Sequence, residues 1–221
     1  MYESRLRDLV ASSARWLDIG CGHQVLQPWR FESERGIVAS AQDVVGLDLE
    51  IDALTRHRTI RKRVSGNLDR LPFADASFDL VTANMVLEHL ENPAGPLTEI
   101  ARVLKPGGVM LALTPNLMGY QAMLARCIPE WGKRRLVKVL QARASHDVFP
   151  AYYRINTDAA IKRVAAVSGF GQASVEHVST EAQCIVLPPL LIPELLLIRA
   201  LMSDRLRRLR PNLIAVLHKA A

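Results

Sequence analysis

Apolar runs along the chain alternate with stretches in which apolar residues recur at helical spacing. The runs predict short strands at residues 15–20, 44–48, 62–65, 78–83, 109–114, 172–179 and 212–218. Strands that alternate with helices indicate a mostly parallel sheet covered by helices on both faces. The 221 residues contain no internal repeat or low-complexity linker, and they fit a single domain. We therefore expect one α/β domain over residues 1–221.

Two segments are longer than this architecture requires. The first, residues 117–156, follows the fifth predicted strand and combines apolar positions at helical spacing with a basic cluster. The apolar positions are Leu117, Tyr120, Leu124, Cys127 and Trp131, and the basic residues are Lys133, Arg134, Arg135 and Lys138. Ligands of open α/β sheets bind beyond the carboxyl ends of the strands. We therefore predict that this segment is an insertion that forms a lid over a substrate.

The second segment, residues 185–210, is apolar at first and basic later. Its apolar run approaches the length of a membrane span, but Pro188, Pro189 and Pro193 should break a helix there. We therefore expect no span. Two interpretations stay open, a helical segment that covers the site and an interfacial helix whose arginines face anionic lipid headgroups.

The composition adds a basic charge balance to this picture. The formal net charge is +6, the isoelectric point is about 9.5, and the excess lies in residues 56–63, 133–138 and 199–210. Aromatic residues do not interleave with these runs, so nucleic-acid binding is not favoured. Solvated helix faces are the simplest interpretation of the charge, and an anionic or lipid-linked small molecule or a membrane surface is the more specific one.

The cysteines and the first residues bear on location and on metals. Cys21, Cys127 and Cys184 have neither the spacing of a metal site nor that of a disulfide framework. Residues 1–10 are charged and amphipathic, without the apolar block of a signal peptide. We expect a cytoplasmic protein, with peripheral contact to the inner membrane face as an option, and no metal site.

Residues 16–24 carry the strongest chemical signal. They read Trp-Leu-Asp-Ile-Gly-Cys-Gly-His-Gln, a short apolar strand that ends in a glycine turn. Residues 44–48 form a second apolar run that ends in Asp48, roughly 28 residues after Gly20, a typical distance for the ribose-binding acid of a βαβ unit. A strand followed by such a turn is the usual entrance to a nucleotide-type pocket.

Three more segments follow in a specific order. Residues 66–73 read Gly-Asn-Leu-Asp-Arg-Leu-Pro-Phe, residues 77–81 read Ser-Phe-Asp-Leu-Val, and residues 104–108 read Leu-Lys-Pro-Gly-Gly. Through these segments, over about residues 15–116, the chain resembles the class I S-adenosylmethionine-dependent methyltransferases that act on small molecules. The resemblance implies a Rossmann-like, seven-stranded sheet with an antiparallel final strand, which residues 212–218 would supply.

The resemblance also implies S-adenosyl-L-methionine as cofactor, S-adenosyl-L-homocysteine as product, and a set of binding residues. The first turn would hold the methionine tail and ribose, the second strand end the ribose, residues 67–68 the adenine, and the end of the fourth strand the tail. The implied residues are Asp18, Gly20, Cys21, Gly22, Asp48, Leu49, Asn67, Leu68, Asn84 and Met85.

Two positions depart from the pattern of the family. His23-Gln24 stands where a third glycine is common, so the loop should be less free to move. Asn67 replaces an acid that meets the adenine amino group, but its amide oxygen can still accept that hydrogen bond. These departures keep open a non-catalytic protein that binds the cofactor. A nicotinamide-dependent oxidoreductase is a further alternative, against which residues 104–108 argue.

Methyl transfer from a sulfonium is a direct displacement, so the protein mainly aligns the reacting atoms. An oxygen nucleophile often needs a base. His89, His146, Asp147 and Tyr152 are the candidates, and residues 146–154 are predicted to form the mouth of the substrate site. We expect methylation of a small-molecule acceptor of sugar, lipid-linked or secondary-metabolite type, at oxygen.

Overall fold

Seven strands form one sheet in the computed structural model, which describes residues 1–127, 150–179 and 188–220. The strands are β1 (Arg15–Ile19), β2 (Asp43–Asp48), β3 (Lys62–Ser65), β4 (Phe78–Asn84), β5 (Leu104–Pro115), β6 (Phe170–Val178) and β7 (Asn212–Lys219). Their order is β3-β2-β1-β4-β5-β7-β6. Strands β1 to β5 pair in parallel, whereas β7 is antiparallel to β5 and β6. The α/β prediction with an antiparallel final strand is confirmed.

Helices cover both faces of this sheet. They are α1 (Tyr2–Ala11), α2 (Phe31–Ser40), α3 (Ile51–Thr55), α4 (Ala94–Val103), α5 (Tyr120–Cys127), α6 (Asp158–Val167) and α7 (Pro188–Leu201). Trp16 and Leu17, neighbours on β1, belong to two different apolar layers, as the alternation of side chains along a strand requires. Leu6 of α1 packs in the layer of Trp16, and Ile100 of α4 packs in the layer of Leu17.

The parallel register brings the ends of three strands together. Asp18 of β1 lies opposite Gly46 of β2 and Thr82 of β4. The strand order reverses between β1 and β4, because β2 follows β1 on one side and β4 lies on the other. Ligands of open α/β sheets bind at such a reversal, beyond the carboxyl ends of the strands.

The fifth strand begins earlier than the sequence predicts. A turn at residues 106–108 and a strand from Val109 are expected, but β5 starts at Leu104, which pairs with Phe78. The register shifts between Phe78 and Leu80, and Gly107 has a φ of 73°. A glycine can adopt that conformation without strain, so the strand absorbs the turn as an irregularity instead of starting after it.

The prolines of the second extra segment do not break its helix, contrary to the prediction. Helix α7 runs from Pro188 to Leu201. Pro188 and Pro189 occupy its first positions, where a backbone N–H would have no partner within the helix. Pro193 lies beyond the first turn and cannot donate to the carbonyl of Pro189, yet the helix continues to Leu201. In the described ranges, no helix is long and apolar enough to cross a membrane.

The first extra segment is described in part. Helix α5 agrees with the helical spacing predicted from Tyr120 to Cys127. His146, Asp147 and the basic cluster at residues 133–138 lie outside the described residues. The described end of the segment, residues 150–156, returns to the sheet, where the side-chain amide of Asn156 donates to the Thr114 hydroxyl at 2.6 Å.

Candidate functional site

A cavity of about 580 Å³ opens at the carboxyl ends of β1, β2 and β4. Its walls contain most of the residues that the sequence predicts for cofactor binding. These are Gly20, Gly22, Asp48, Leu49, Asn67, Leu68 and Met85. His89 and Tyr152, two of the predicted catalytic residues, line the same space. We call it the first cavity.

Gly20 and Gly22 form the turn at the end of β1. Gly20 has a φ of 61°, and a side chain there would collide with Val86. Gly22 has a φ of 53°. Both positions therefore need glycine, and the backbone at this edge of the cavity is left uncovered by side chains.

Asp48 is held in place at the end of β2. Its Oδ2 accepts the backbone N–H of Gly22 at 2.8 Å, and its Oδ1 accepts the N–H of Glu50 at 2.9 Å. A carboxylate oxygen has more than one lone-pair site, so each oxygen retains capacity for another donor. A pair of neighbouring hydroxyls, such as those of a ribose, matches this arrangement.

Asp18 lies deeper than the residues of the first cavity wall. It is 3% exposed, and its Oδ1 accepts the Thr82 hydroxyl. The indole N–H of Trp16 donates in turn to the Thr82 oxygen at 2.7 Å. Burial raises the pKa of the Asp18 carboxyl to about 7, against the hydrogen bond from Thr82, which lowers it. Its role toward a cofactor tail stays a prediction.

Cys21 packs beneath the turn with its side chain turned into the protein. Its thiol is buried, and a side chain at Gly46 would meet its Sγ. Burial, together with the nearby carboxyls of Asp18 and Asp48, raises the pKa of the thiol far above its ordinary value. Cys21 is therefore a poor nucleophile here, and its contribution to the turn is its backbone N–H, which donates to the Leu47 carbonyl at 3.1 Å.

Asn67 and Leu68 lie on the wall across from this turn. The exposed Asn67 side chain forms a local turn with Asp69, whose backbone N–H it accepts at 3.2 Å. Its amide nitrogen donates to the Asp69 carboxylate, also at 3.2 Å. The amide oxygen can accept a further hydrogen bond, as the adenine prediction requires.

Asn84 and Met85 lie where the first cavity meets a second one. Met85 lines both cavities and has a φ of 56°, which is uncommon for a residue other than glycine. Asn84 lines the second cavity, and its side-chain amide donates to the Val25 carbonyl at 3.3 Å.

The second cavity, of about 850 Å³, extends beyond Met85 toward α1 and the end of β5. Apolar side chains and amides dominate its described walls. They include Tyr2, Leu26, Trp29, Leu113, Leu117, Val178, Asn84, Asn116, Gln121 and Asn212. Its charged pair, Glu3 and Arg30, is mutually neutralised by two hydrogen bonds of 2.6 and 2.8 Å.

His89 has a defined orientation. Its Nδ1 lies 2.9 Å from the Pro150 carbonyl. A carbonyl oxygen only accepts, so Nδ1 carries the proton, and Nε2 is the basic nitrogen of the neutral ring. The neighbouring Glu88 carbonyl accepts the backbone N–H groups of Tyr152 and Tyr153 at 2.8 and 3.1 Å. These bonds bring residues 150–153 to the edge of the first cavity.

Glu34 is a buried carboxylate near the site that the sequence does not single out. It accepts the backbone N–H groups of Val25 and Leu26 at 3.1 and 2.8 Å, and it forms an ion pair with Arg58. These bonds restrain the loop that follows Gly22. No sequence motif marks the contact, because Glu34 and Arg58 lie 24 residues apart in different elements.

The chain is similar in sequence to known methyltransferases. Residues 17–112 match the family model described as a methyltransferase domain. A demethylmenaquinone methyltransferase from Lactiplantibacillus plantarum is 35% identical over 113 residues, which are 47% of this chain and 46% of that protein. A malonyl-[acyl-carrier protein] O-methyltransferase from Erwinia billingiae is 34% identical over 102 residues, 44% of this chain and 38% of that protein.

A solved structure shares the fold over the whole chain. The S-adenosylmethionine-dependent methyltransferase from Mesorhizobium loti superposes with a TM-score of 0.58 at 23% identity, covering 99% of this chain and 98% of that one. Among the curated relatives, by contrast, the matched part of the chain spans less than half of their length. The family model, at residues 17–112, includes most of the residues that line the first cavity.

Proposed function

We propose that this chain transfers a methyl group from S-adenosyl-L-methionine to a small-molecule acceptor, because residues 17–112 match the family model described as a methyltransferase domain. The observation that carries the proposal is the Asp48 carboxylate, which the Gly22 N–H holds in place beside the uncovered Gly20–Gly22 turn in the wall of one cavity. A non-catalytic binding protein is the alternative outcome of the test below.

The first cavity has the donors and acceptors for the nucleoside part of the cofactor. Asp48 would accept the ribose hydroxyls, with Leu49 beside it, and Asn67 and the Leu68 backbone would meet the adenine. The glycine turn leaves room for close approach of the ribose and tail. When bound, the cofactor supplies an activated methyl group, and the chain's own residues position the acceptor against it.

We propose that the acceptor occupies the second cavity, with its reacting atom near Met85. The apolar walls at Leu26, Trp29 and Leu113 suit a ring or an acyl chain, and the amides around them can hold hydroxyls. The charged side chains of the described walls, Arg30 and Glu3, neutralise each other. We infer that the part of the acceptor that enters this cavity is uncharged.

For an acceptor that reacts through oxygen, His89 is the proposed base. The Pro150 carbonyl fixes the proton on Nδ1, so Nε2 can accept the proton that a hydroxyl releases. Tyr152 lines the same cavity and is the proposed positioning group for the hydroxyl. His146, the third candidate, lies outside the described residues, as does the basic part of the proposed lid, residues 117–156.

A surface formed by α7 and the turn after it supports the membrane interpretation of residues 185–210. Ile192, Leu195 and Leu196 are 69%, 49% and 64% exposed, and with the exposed Arg199 they follow the spacing of one helix face. Three further exposed arginines lie in the short 3-10 helix that follows, Asp204–Leu209, and we include them in this surface. They are Arg205, Arg207 and Arg208.

Exposed apolar side chains bordered by arginines are complementary to a membrane with anionic headgroups. We propose that this surface, defined here as the α7 surface, binds such a membrane peripherally. A lipid-linked acceptor could then reach the second cavity from the bilayer. The proposal places the protein at the inner membrane face, in agreement with its basic charge.

Calorimetry with S-adenosyl-L-homocysteine tests the cofactor assignment. The parent protein should bind, and Asp48→Ala should bind at least about tenfold more weakly, because charge-assisted hydrogen bonds are lost. Asp52→Ala, an exposed acid on the next helix, is the matched control. Unchanged binding by folded Asp48→Ala would refute the assignment. Incubation of extracts with labelled cofactor then separates enzyme from binding protein, since only an enzyme labels an acceptor.

A further inference from the structure

The hydroxyl of Tyr2 is buried without a partner. The side chain is 7% exposed, and the hydroxyl oxygen has no hydrogen bond to any of the described residues. A buried hydroxyl in this state is destabilising, and native structures rarely keep one without a reason. Tyr2 lines the second cavity, so a bound molecule can supply the missing partner.

Asp18 is the charged group near this hydroxyl. Burial and the electrostatic influence of Asp18 together raise the pKa of Tyr2 well above its ordinary value. The two side chains are nonetheless not hydrogen-bonded to each other, since the described bond of Asp18 comes from Thr82. The bonding capacity of the Tyr2 hydroxyl is thus used neither by Asp18 nor by any other described residue.

The position of Tyr2 relative to the first cavity limits what can bind there. Asn84 ends β4, the strand beside β1, and Met85 follows it. Asn84 and Met85 line the second cavity together with Tyr2, and Met85 also lines the first cavity. The part of a cofactor that extends past the glycine turn, away from Asp48, would therefore approach Tyr2.

We propose that the Tyr2 hydroxyl donates a hydrogen bond to the carboxylate of the cofactor's methionine tail. This inference rests on the proposed function and deepens it. The tail carboxylate needs a hydrogen-bond donor, and the unpartnered Tyr2 hydroxyl in the wall of the second cavity provides one. Tyr2 would thus make α1 part of the cofactor site.

Three ligands and one variant test this inference by calorimetry. S-adenosyl-L-homocysteine has the whole tail, its decarboxylated analogue lacks the carboxylate, and 5′-methylthioadenosine lacks both charged groups. Tyr2→Phe removes the hydroxyl alone. It should weaken the binding of S-adenosyl-L-homocysteine about tenfold, since the lost hydrogen bond goes to a charged group. The affinities for the other two ligands should change less than about twofold.

Tyr120→Phe is the matched control. Tyr120 is also buried, but its hydroxyl accepts the Gln121 side-chain amide at 3.2 Å and it does not line either cavity. This variant should bind all three ligands as the parent does. Asp48→Ala should weaken all three, because each of them carries the ribose.

The outcomes separate this inference from the proposed function. If the parent binds S-adenosyl-L-homocysteine and Tyr2→Phe binds it equally well, the role of Tyr2 is refuted while the cofactor assignment stands. Equal losses for all three ligands would also refute it, because the hydroxyl would then act through the structure of α1. If the parent binds none of the ligands, the proposed function itself fails.

Discussion

The buried carboxylate of Glu34 and the guanidinium of Arg58 form an ion pair at 2.5 Å beneath the loop that follows Gly22. Glu34 is fully buried, and Arg58 adds hydrogen bonds to the carbonyls of Leu26 and Gln27 at 2.9 and 3.3 Å. Although burial raises the pKa of Glu34, hydrogen bonds from Arg58 and Thr59 hold it below the ordinary value. The carboxylate therefore stays charged and restrains the loop.

Glu34→Ala should destabilise the protein by about 3 kcal/mol, because two buried N–H groups and a partly buried arginine lose their partner. The measurement is urea unfolding at neutral pH. Glu34→Gln should cost less, since one amide oxygen remains as an acceptor. Glu32→Ala, on the exposed face of the same helix, is the control and should change stability by less than about 0.5 kcal/mol. If Glu34→Ala leaves the free energy of unfolding unchanged, the loop does not depend on this carboxylate.

Asn67 is expected to recognise the adenine amino group, so its substitution should change ligand discrimination. S-inosyl-L-homocysteine, which has a carbonyl in place of the amino group, should bind the parent more weakly than S-adenosyl-L-homocysteine. Asn67→Leu should reduce this preference several-fold, and Asn67→Asp should retain it because a carboxylate oxygen also accepts. Calorimetry with both ligands measures the ratio. If Asn67→Leu keeps the full preference, another group recognises the adenine.

The local sequence pattern predicts much of this fold and the backbone of the first cavity. Buried strands appear as apolar runs, and β3 begins and ends as predicted because charged and glycine residues surround it. Gly20, Gly22 and Asp48 are adjacent to strand ends, so their meeting follows from parallel pairing. Each of these features is therefore predicted from a few consecutive residues.

Features that depend on contacts distant in sequence are not predicted. The ion pair of Glu34 with Arg58 and the place of Tyr2 in the wall of the second cavity both join separate elements, so no short window of the sequence contains either. Pro188 and Pro189 do not prevent helix α7 because they occupy its first positions, and the sequence alone does not reveal where the helix starts. The acceptor is unpredicted for the same reason, since the second cavity is assembled from α1, β4, β5 and the ends of β6 and β7.

The elevated pKa of Asp18, about 7, predicts how stability depends on pH. The folded protein holds this proton more tightly than the unfolded chain, so the contribution of Asp18 to stability is most favourable below about pH 4 and is lost as pH rises through 7. Glu34 and Asp48 add to this effect through their charge, and Thr82 opposes it with its hydrogen bond. A neutral side chain at this position should not show the loss.

In the absence of ligand, the unfolding free energy of Asp18→Asn minus that of the parent should therefore increase by about 2.5 kcal/mol from pH 5 to pH 8. The comparison is the difference in unfolding free energy between variant and parent at the two pH values, so that other titrating groups cancel. Asp8→Asn, at an exposed position of α1, should show a pH-independent difference. A parallel pH dependence of Asp18→Asn and the parent would contradict the raised pKa.

Binding of the α7 surface to anionic membranes predicts a charge-dependent co-sedimentation with vesicles. The parent should sediment with phosphatidylglycerol-containing vesicles and not with purely zwitterionic ones, because each basic residue near such a surface contributes about 1 kcal/mol. Arg207→Glu combined with Arg208→Glu should reduce binding by at least about thirtyfold. Arg61→Glu with Arg70→Glu makes the same change in net charge at exposed sites on the β3 side of the sheet and should have a much smaller effect. Equal losses in the two double variants would show that net charge, and not this surface, attracts the protein. Failure of the parent to bind would refute the membrane contact and favour the role of α7 as a cover of the site.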